Sequence, residues 1–501
     1  MSDWLKYSPT SGHGNGTITI TADTLSELEE RTATIVASNS QYGVSDSVLI
    51  TQYTVTPSTP LTFDIISGGT IYWYSSNEDF VKTISYSKND GDWVEITSST
   101  AGTPINVSAR DVVKFKGDNS SYGGSNHYHK FRTTSDILFT VKGNIMSLID
   151  SDGFATAKTL TDSYTFFKLF INCKGLVSAK NLLLPATTLA DICYQSMFNG
   201  CTSLTKAPSI LPATTLAYSC YRDMFYDCTS LTTAPELPAT TLANGCYLTM
   251  FAGCTSLTTA PELPATTLAS NCYEYMFASC EALTTAPELP ATTLAGYCYD
   301  SMFYNCTGLT KAPSILPATT LEGDCYHQMF AYCTSLTTVP SDLLPATTLT
   351  IRCYEGMFQY CTSLTTAPEL PATTLTKECY ACYRAMFAGC TSLTTAPSIL
   401  PATTLASNCY SNMFNGCTKL KQAPELPATT LTQRCYYGMF HSCTSLNYIK
   451  CLATDISASD CTFSWVGDIT SIGTFVKNKN MTGWTKGISG IPSGWTVIDA
   501  T

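Results

Sequence analysis

The chain carries little charge. Only 13% of its 501 residues are Asp, Glu, Lys or Arg, about half the share in an average soluble domain. Basic residues are the scarcer sign, 27 against 38 acidic, for a net charge of -11. That balance repels phosphate backbones and anionic membrane surfaces, so no nucleic-acid partner is expected. Apolar runs of membrane-spanning length are missing, and with them any expectation of membrane insertion. The start, Met1-Ser2-Asp3-Trp4-Leu5-Lys6, lacks the basic and apolar regions of a secretory signal. The expectation is a chain soluble where it is made, reaching the outside in a virion released by lysis or from a form whose leader was removed. With 44% apolar residues and moderate Gly and Pro, the composition excludes a disordered chain. The length is that of roughly three domains.

Cysteine is absent from the first 172 residues, and all 24 lie between Cys173 and Cys461. They belong to a repeat. The block LPATTLAxxCYxxMFxxCTSLTTAPE recurs every 26 to 29 residues, and LPATT alone occurs ten times. Within a block the two cysteines are always eight apart, from Cys193/Cys201 to Cys435/Cys443, while length varies only outside that span. Cys193, Met197 and Cys201 fall at i, i+4 and i+8, with Tyr194 and Phe198 beside them, which predicts two turns of helix. Gly, Asn or Asp often precedes the second cysteine (Gly200, Asp227, Asn305), as a left-handed helix terminus prefers. SLTTAPEL reads as a short strand or extended segment ended by proline. One unit cannot bury its Leu, Met, Phe and Cys alone, so the units are expected to stack into a solenoid of about twelve turns with atypical ends.

L-x-x-A-(2 or 3 residues)-L-P followed by MF-x-x-C-T-x-L resembles the BspA-type leucine-rich repeat of gut-bacterial and bacteriophage surface proteins. The likeness covers about residues 155 to 501. It departs from the usual pattern in having Met where Ala commonly precedes Phe, and in its second cysteine per repeat. Before the repeats, Trp4, Ser8-Pro9-Thr10-Ser11-Gly12, Arg31-Thr32-Ala33-Thr34-Ile35 and Ile50-Thr51-Gln52 are similar to the later part of a BACON-type module. That resemblance implies an Ig-like sandwich associated with carbohydrate-active and mucin-binding proteins. The strands expected before Trp4 are missing, and a neighbouring domain or subunit is expected to complete the module. The fold class is therefore multidomain, with N-terminal β-sandwich modules followed by an α/β leucine-rich-repeat solenoid. The expected divisions are 1–55 (BACON-like), 56–150 (a second sandwich, with Asn89-Asp90-Gly91 as a hairpin turn), 151–460 (solenoid) and 461–501 (cap).

An even cysteine count invites a disulfide framework. Helical spacing opposes it, because eight helical residues span about 12 Å, against the roughly 4.4–6.8 Å between Cα atoms that a disulfide needs. Free thiols acting as small buried hydrophobes are the expectation. Cys379-Tyr380-Ala381-Cys382 is nominally a CxxC but reads as repeat slippage, since no second half-site is near. His127 and His129 have a two-ligand spacing in a loop. Asp150-Ser151-Asp152-Gly153 opens like a calcium loop but lacks its later glutamate. Glu236, Glu262, Glu288, Glu369 and Glu425 recur at one repeat position, which suits a solvated edge better than an opposed catalytic pair. No nucleophile, phosphate loop, metal set or cofactor motif stands out, and neither an enzyme nor a cofactor is expected.

Between repeats, variation concentrates in the two residues before Cys-Tyr, the two before Met-Phe and the two after it. Tyr226, Asp227, Tyr304, Asn305, Tyr332, Gln359, Tyr360 and His441 occupy the last pair. Their rings and amides suit stacking and directional hydrogen bonds to a glycan or protein, and equally suit exposed positions free to drift. The resemblances imply a non-enzymatic virion protein of a phage of gut bacteria, such as a tail or head fibre, contacting a host-surface glycan or protein. Its N-terminal modules would meet other virion proteins, and a trimer is the usual fibre assembly. A bacterial cell-surface adhesin and an accessory carbohydrate-binding subunit are the alternatives.

Overall fold

The computed structural model describes residues 56–501 throughout and, before them, the backbone of residues 5–8, 19–22, 31–39 and 44–52. There β1 (Leu5–Ser8) pairs antiparallel with β2 (Thr19–Ala22), and β3 (Arg31–Asn39) with β4 (Val44–Gln52). Antiparallel pairing is what the resemblance to an Ig-like sandwich implies. Trp4 and the turn at 9–12 lie outside the described residues.

Two sheets follow. One has the order β13 (Leu176–Leu183), β12 (Leu138–Asn144), β5 (Leu61–Ser67), β10 (Val112–Lys116), β7 (Thr83–Lys88), β8 (Val94–Thr97). The other runs β11 (His129–Thr133), β6 (Gly69–Ser75), β9 (Thr103–Val107). Alternate residues point inward, as Ile71 and Trp73 do on β6 and Val113 and Phe115 on β10. Phe63 of the first sheet meets Phe131 of the second edge-on at 4.9 Å, with Phe115 and Phe139 at 4.8 and 4.9 Å from Phe63. Asn89 and Asp90 both have positive φ (55° and 58°), as a tight hairpin between twisted strands requires. β13 already belongs to the first repeat and pairs parallel with β12, so the repeats begin by extending the β unit's own sheet.

The segment between the paired cysteines is not a helix. A residue with positive φ recurs every fourth position, for example Ile192 (62°), Ser196 (55°) and Gly200 (72°), and each unwinds the right-handed coil. The amides alternate in use. Those of Gln195, Met197 and Asn199 close turns onto the carbonyl three residues back. Those of Ile192, Tyr194, Ser196, Phe198 and Gly200 reach the next repeat, at Tyr218, Cys220, Arg222, Met224 and Tyr226. A helix would have spent all of them on the carbonyl four residues back. A run of four-residue turns places Cys193, Met197 and Cys201 on one side as a helix would, so the apolar spacing could not distinguish the two. The left-handed conformation expected before the second cysteine is present, at Gly200, Asp227 (55°) and Asn305 (58°), but inside a chain of turns. Triplets of this kind occur twelve times among the described residues, from Tyr164/Lys168/Asn172 to Asp460/Ser464/Asp468. The helical half of the expected α/β unit is thereby corrected. Among the described residues the only helical elements are short 3-10 turns at Ile145–Leu148 and Lys377–Cys379, and no helix is long and apolar enough to cross a membrane.

The SLTTAPEL stretches are extended but touch through single parallel bridges, such as Lys206 to Thr233 and Thr233 to Thr259. The nearby prolines remove the donors a longer ladder needs. The near-invariant threonines take over part of that role. Thr232 and Thr258 donate their hydroxyls to the carbonyls of Thr205 and Thr232, and Thr255 and Thr418 do so to Thr229 and Thr391.

Inside, two columns of rings run the length of the array. The Tyr column continues from Tyr122 and Phe166 through Tyr194 to Tyr436, and the Phe column from Phe131 and Phe170 to Phe440, with stacked neighbours such as Phe225 and Phe251 at 5.6 Å. Trp73 of the β unit contacts the foot of both, at 5.6 Å from Tyr122 and 5.0 Å from Phe131. Trp465 closes both, 6.2 Å from Tyr436 and 6.2 Å from Phe440. Trp484 stacks behind it at 5.7 Å, beside the parallel sheet of β14 (Tyr448–Cys451), β15 (Thr474–Lys477) and β16 (Thr496–Asp499).

Candidate functional site

All 24 cysteines are free and buried. The second of each pair has a specific partner: Cys201, Cys254, Cys306 and Cys361 donate their thiols to the carbonyls of Phe170, Phe225, Phe277 and Phe330 at 3.0–3.1 Å. Burial pushes the Cys306 and Cys361 thiols up to about 12, so they are neutral donors. The free thiols expected from a helix are therefore present for another reason, since this column is a ladder of S–H donors stitching each turn run to the one before.

The candidate ligand residues elsewhere are engaged internally. His129 is buried, with Nδ1 and Nε2 each 3.0 Å from a backbone carbonyl, of Tyr122 and Phe80. His127 stacks on Phe80 at 4.0 Å. Asp150 Oδ1 accepts from the Gly153 amide at 2.7 Å, folding the acidic loop onto itself. Glu288 accepts from Ser314, and Glu425 pairs with Lys450 at 2.9 Å, so the glutamate ladder links neighbouring repeats along an edge. Among the described residues no cluster of three or more His, Cys, Asp and Glu is arranged to hold a metal.

The variable positions form the outward corners of the turn runs. Asp227, Asn305, Tyr332 and Tyr360 take the left-handed corner, with φ from 55° to 64°, where Gly253, Gly389 and Gly416 stand in other repeats. A side chain there costs about 1–2 kcal/mol that glycine avoids. Tyr332 and Tyr360 accept that strain in adjacent repeats and stack on each other at 4.8 Å. Tyr304 joins them 5.2 Å from Tyr332, and Tyr275 lies 6.5 Å beyond. Gln359 and Tyr360 then border a cleft of about 430 Å³ whose floor is Gly356, Ala385, Ala388, Gly389 and Gly416. A Cβ on Gly389 would come within 2.4 Å of the Tyr360 ring, so glycine is what lets that ring lie across the next repeat. The structure thus brings together Tyr304, Tyr332, Gln359 and Tyr360, with Asn305 beside Tyr304 and bonded to Ser279 at 3.2 Å. It does not bring Tyr226 and Asp227, three repeats earlier, or His441, whose ring faces Ser442 and Asp468.

Sequence reasoning left unnamed the other side of the cleft: Gln328, Glu355, Arg384, Asn412 and Asn415. All but Asn415 lie in the two places before Met-Phe, which the repeat comparison marks as variable, so the signal existed. Next to the cleft Asp300 binds His327 Nδ1 at 3.1 Å, Arg352 donates from Nη2 to Asp324 at 3.2 Å, and Glu355 lies 3.6 Å from Arg384. Burial pulls His327 down, but the hydrogen bond to Asp300 and the Asp300, Glu355 and Asp324 carboxylates outweigh it, and its pKa lies above the ordinary histidine value. Burial raises Glu355, against the opposing pull of Arg384 and His327.

These features define a repeat-built binding scaffold, in which an invariant interior holds variable corners at fixed spacing. The BspA type leucine rich repeat region (6 copies) matches in four overlapping stretches, 168–310, 219–365, 249–421 and 355–482, which together span more than half of the chain. The protein belongs to this BspA-type leucine-rich repeat family. Residues 1–53 match the BACON family, an N-terminal binding domain. The two together mark a surface adhesion or binding protein. No curated protein matches the chain.

Proposed function

We propose that this protein is a non-enzymatic receptor-contacting appendage of a bacteriophage of gut bacteria, a tail or head fibre. Its twelve turn triplets would make a twelve-turn solenoid presenting the tyrosine-lined corners to a host-surface glycan or protein, while the BACON-like and two-sheet units attach to other virion proteins. The observation that carries the reading is the stack of Tyr332 on Tyr360 at strained corners in consecutive repeats, with Tyr304 of the preceding repeat tilted against Tyr332. Drift alone gives no reason to keep two adjacent tyrosines where glycine fits better. The test is binding of the full chain to gut-bacterial cells. The double variant Tyr332→Ala, Tyr360→Ala should stay folded, with a slightly lowered melting curve from the lost stack, and lose most of the bound fraction; unchanged binding would remove this face from consideration. Mass spectrometry of purified virions addresses the phage assignment. The family match favours a bacterial cell-surface adhesin as the second reading, and detection of the chain on intact bacterial cells free of phage would select it.

A further inference from the structure

We propose that the cleft bordered by Tyr360 is a binding site for a neutral pyranose of an oligosaccharide. This rests on the adhesion reading above and names the ligand class of that same face. Four observations converge on these repeats. First, Tyr332 and Tyr360 stack with their rings 28° apart, and Tyr360 is 42% exposed, so an apolar aromatic surface borders the cleft. The C–H faces of a sugar ring pack on such a surface, and its edge hydroxyls remain free for hydrogen bonds. Second, the cleft offers the primary amides of Gln328, Gln359, Asn412 and Asn415. An amide both donates and accepts, which matches hydroxyls that do the same. Third, Glu355 lines the cleft with Oε2 lacking any hydrogen-bond partner. A small rotation of its side chain offers that acceptor to a ligand hydroxyl. Fourth, the cleft's one carboxylate, Glu355, is offset by its one cation, Arg384, 3.6 Å away. A site so balanced discriminates against strongly acidic or basic ligands.

The floor supports the same assignment. Gly356, Gly389 and Gly416 keep the backbone bare where a ligand ring would rest. The stacked interior rings set neighbouring repeats about 5.3–5.8 Å apart, as between Phe170 and Phe198 and between Tyr221 and Tyr247. That step is close to the length of one sugar unit in an extended chain, so an oligosaccharide lying along the array would meet equivalent corners in register.

The full chain would be screened on an array of neutral glucose, galactose and mannose oligosaccharides alongside sialylated and sulfated ones. Its affinity for retained glycans would then be measured for wild type, Tyr360→Ala, Asn412→Ala and a control at the exposed Tyr218→Ala. The expected result is retention of neutral glycans, at least a tenfold loss for Tyr360→Ala and a severalfold loss for Asn412→Ala, with binding by Tyr218→Ala unchanged and every variant still folded, Tyr360→Ala melting slightly lower for the loss of its stack on Tyr332. Retention of charged glycans only, of none, or equal binding by Tyr360→Ala overturns the site. Cell binding separates the two claims. Binding to cells that survives both periodate treatment of the cells and Tyr360→Ala leaves adhesion standing and overturns the cleft. Glycan binding through Tyr360 without any cell binding supports the cleft and overturns the adhesion reading.

Discussion

Phe131 of the two-sheet unit stacks on Phe170 of the first repeat, with ring centroids 5.7 Å apart and planes 20° apart. The interior of the β unit and that of the array are thus one continuous apolar body, and β12 and β13 continue one sheet across the same junction. The repeats do not begin on a free end. Their first ring is seated on a preformed surface, as a capping unit in a stacked array must provide.

At the far end Trp465 serves both columns. Trp465→Ala is expected to cost about 3–5 kcal/mol, as for large buried aromatics in general. In an array of nearest-neighbour interfaces the loss stays local. Hydrogen exchange followed by mass spectrometry should show lost protection around Tyr436, Phe440 and Trp484, and none around Phe170.

The left-handed corners predict opposite responses to small substitutions. Gly416→Ala, at φ 75°, should destabilise by about 1 kcal/mol. Tyr360→Gly removes the same strain but gives up its stack on Tyr332, about 0.5–1.5 kcal/mol. Its net effect on the denaturation midpoint should be close to zero while binding falls.

Cys379 should be the first thiol to react. A hydrogen bond with the Cys382 side chain lowers its pKa to about 7 against the opposing effect of burial, whereas burial raises thiols such as Cys353 to about 12. Cys379 is itself buried and donates its thiol to the Leu349 carbonyl at 3.1 Å, so iodoacetamide reaches it in the native protein through local opening, after which it should be modified ahead of the other thiols, at a rate rising through about pH 7. All 24 should be modified in denaturant. Denatured protein without reductant that shows half of them or fewer would contradict the free thiols.

His327 should make stability pH-dependent in a defined sense. Its pKa is higher folded than unfolded, so its contribution is complete below the ordinary histidine value of about 6.5 and fades as pH rises through the folded value. Wild type should exceed His327→Gln in melting temperature at pH 5.5. The gap should close by pH 8.5.

The array was the most legible part of the sequence, because its period is written in residues that all face one interior. The local conformation was not, since an i, i+4, i+8 apolar pattern is shared by a helix and by successive four-residue turns. Deciding between them takes the partner of the Tyr194 or Phe198 amide, which lies in the next repeat and leaves no mark in the spacing. Of the candidate residues, Tyr304, Tyr332, Gln359 and Tyr360 meet, because they occupy corners of consecutive repeats. Tyr226 and His441 have the same chemistry but stand too far along the stack. Glu355 and Arg384 were hidden by belonging to a different variable column, brought beside the first only by the turns.

In every turn run but the last, five amides bind the following repeat and aim their N–H groups toward the C-terminus, as from Ile192, Tyr194, Ser196, Phe198 and Gly200. Peptide dipoles aligned head to tail add. The turn runs therefore give the array an electrical sense along its axis, positive toward Trp465 and negative toward the two-sheet unit. The two ends of the turn runs are electrically inequivalent, although their interior residues are the same from repeat to repeat.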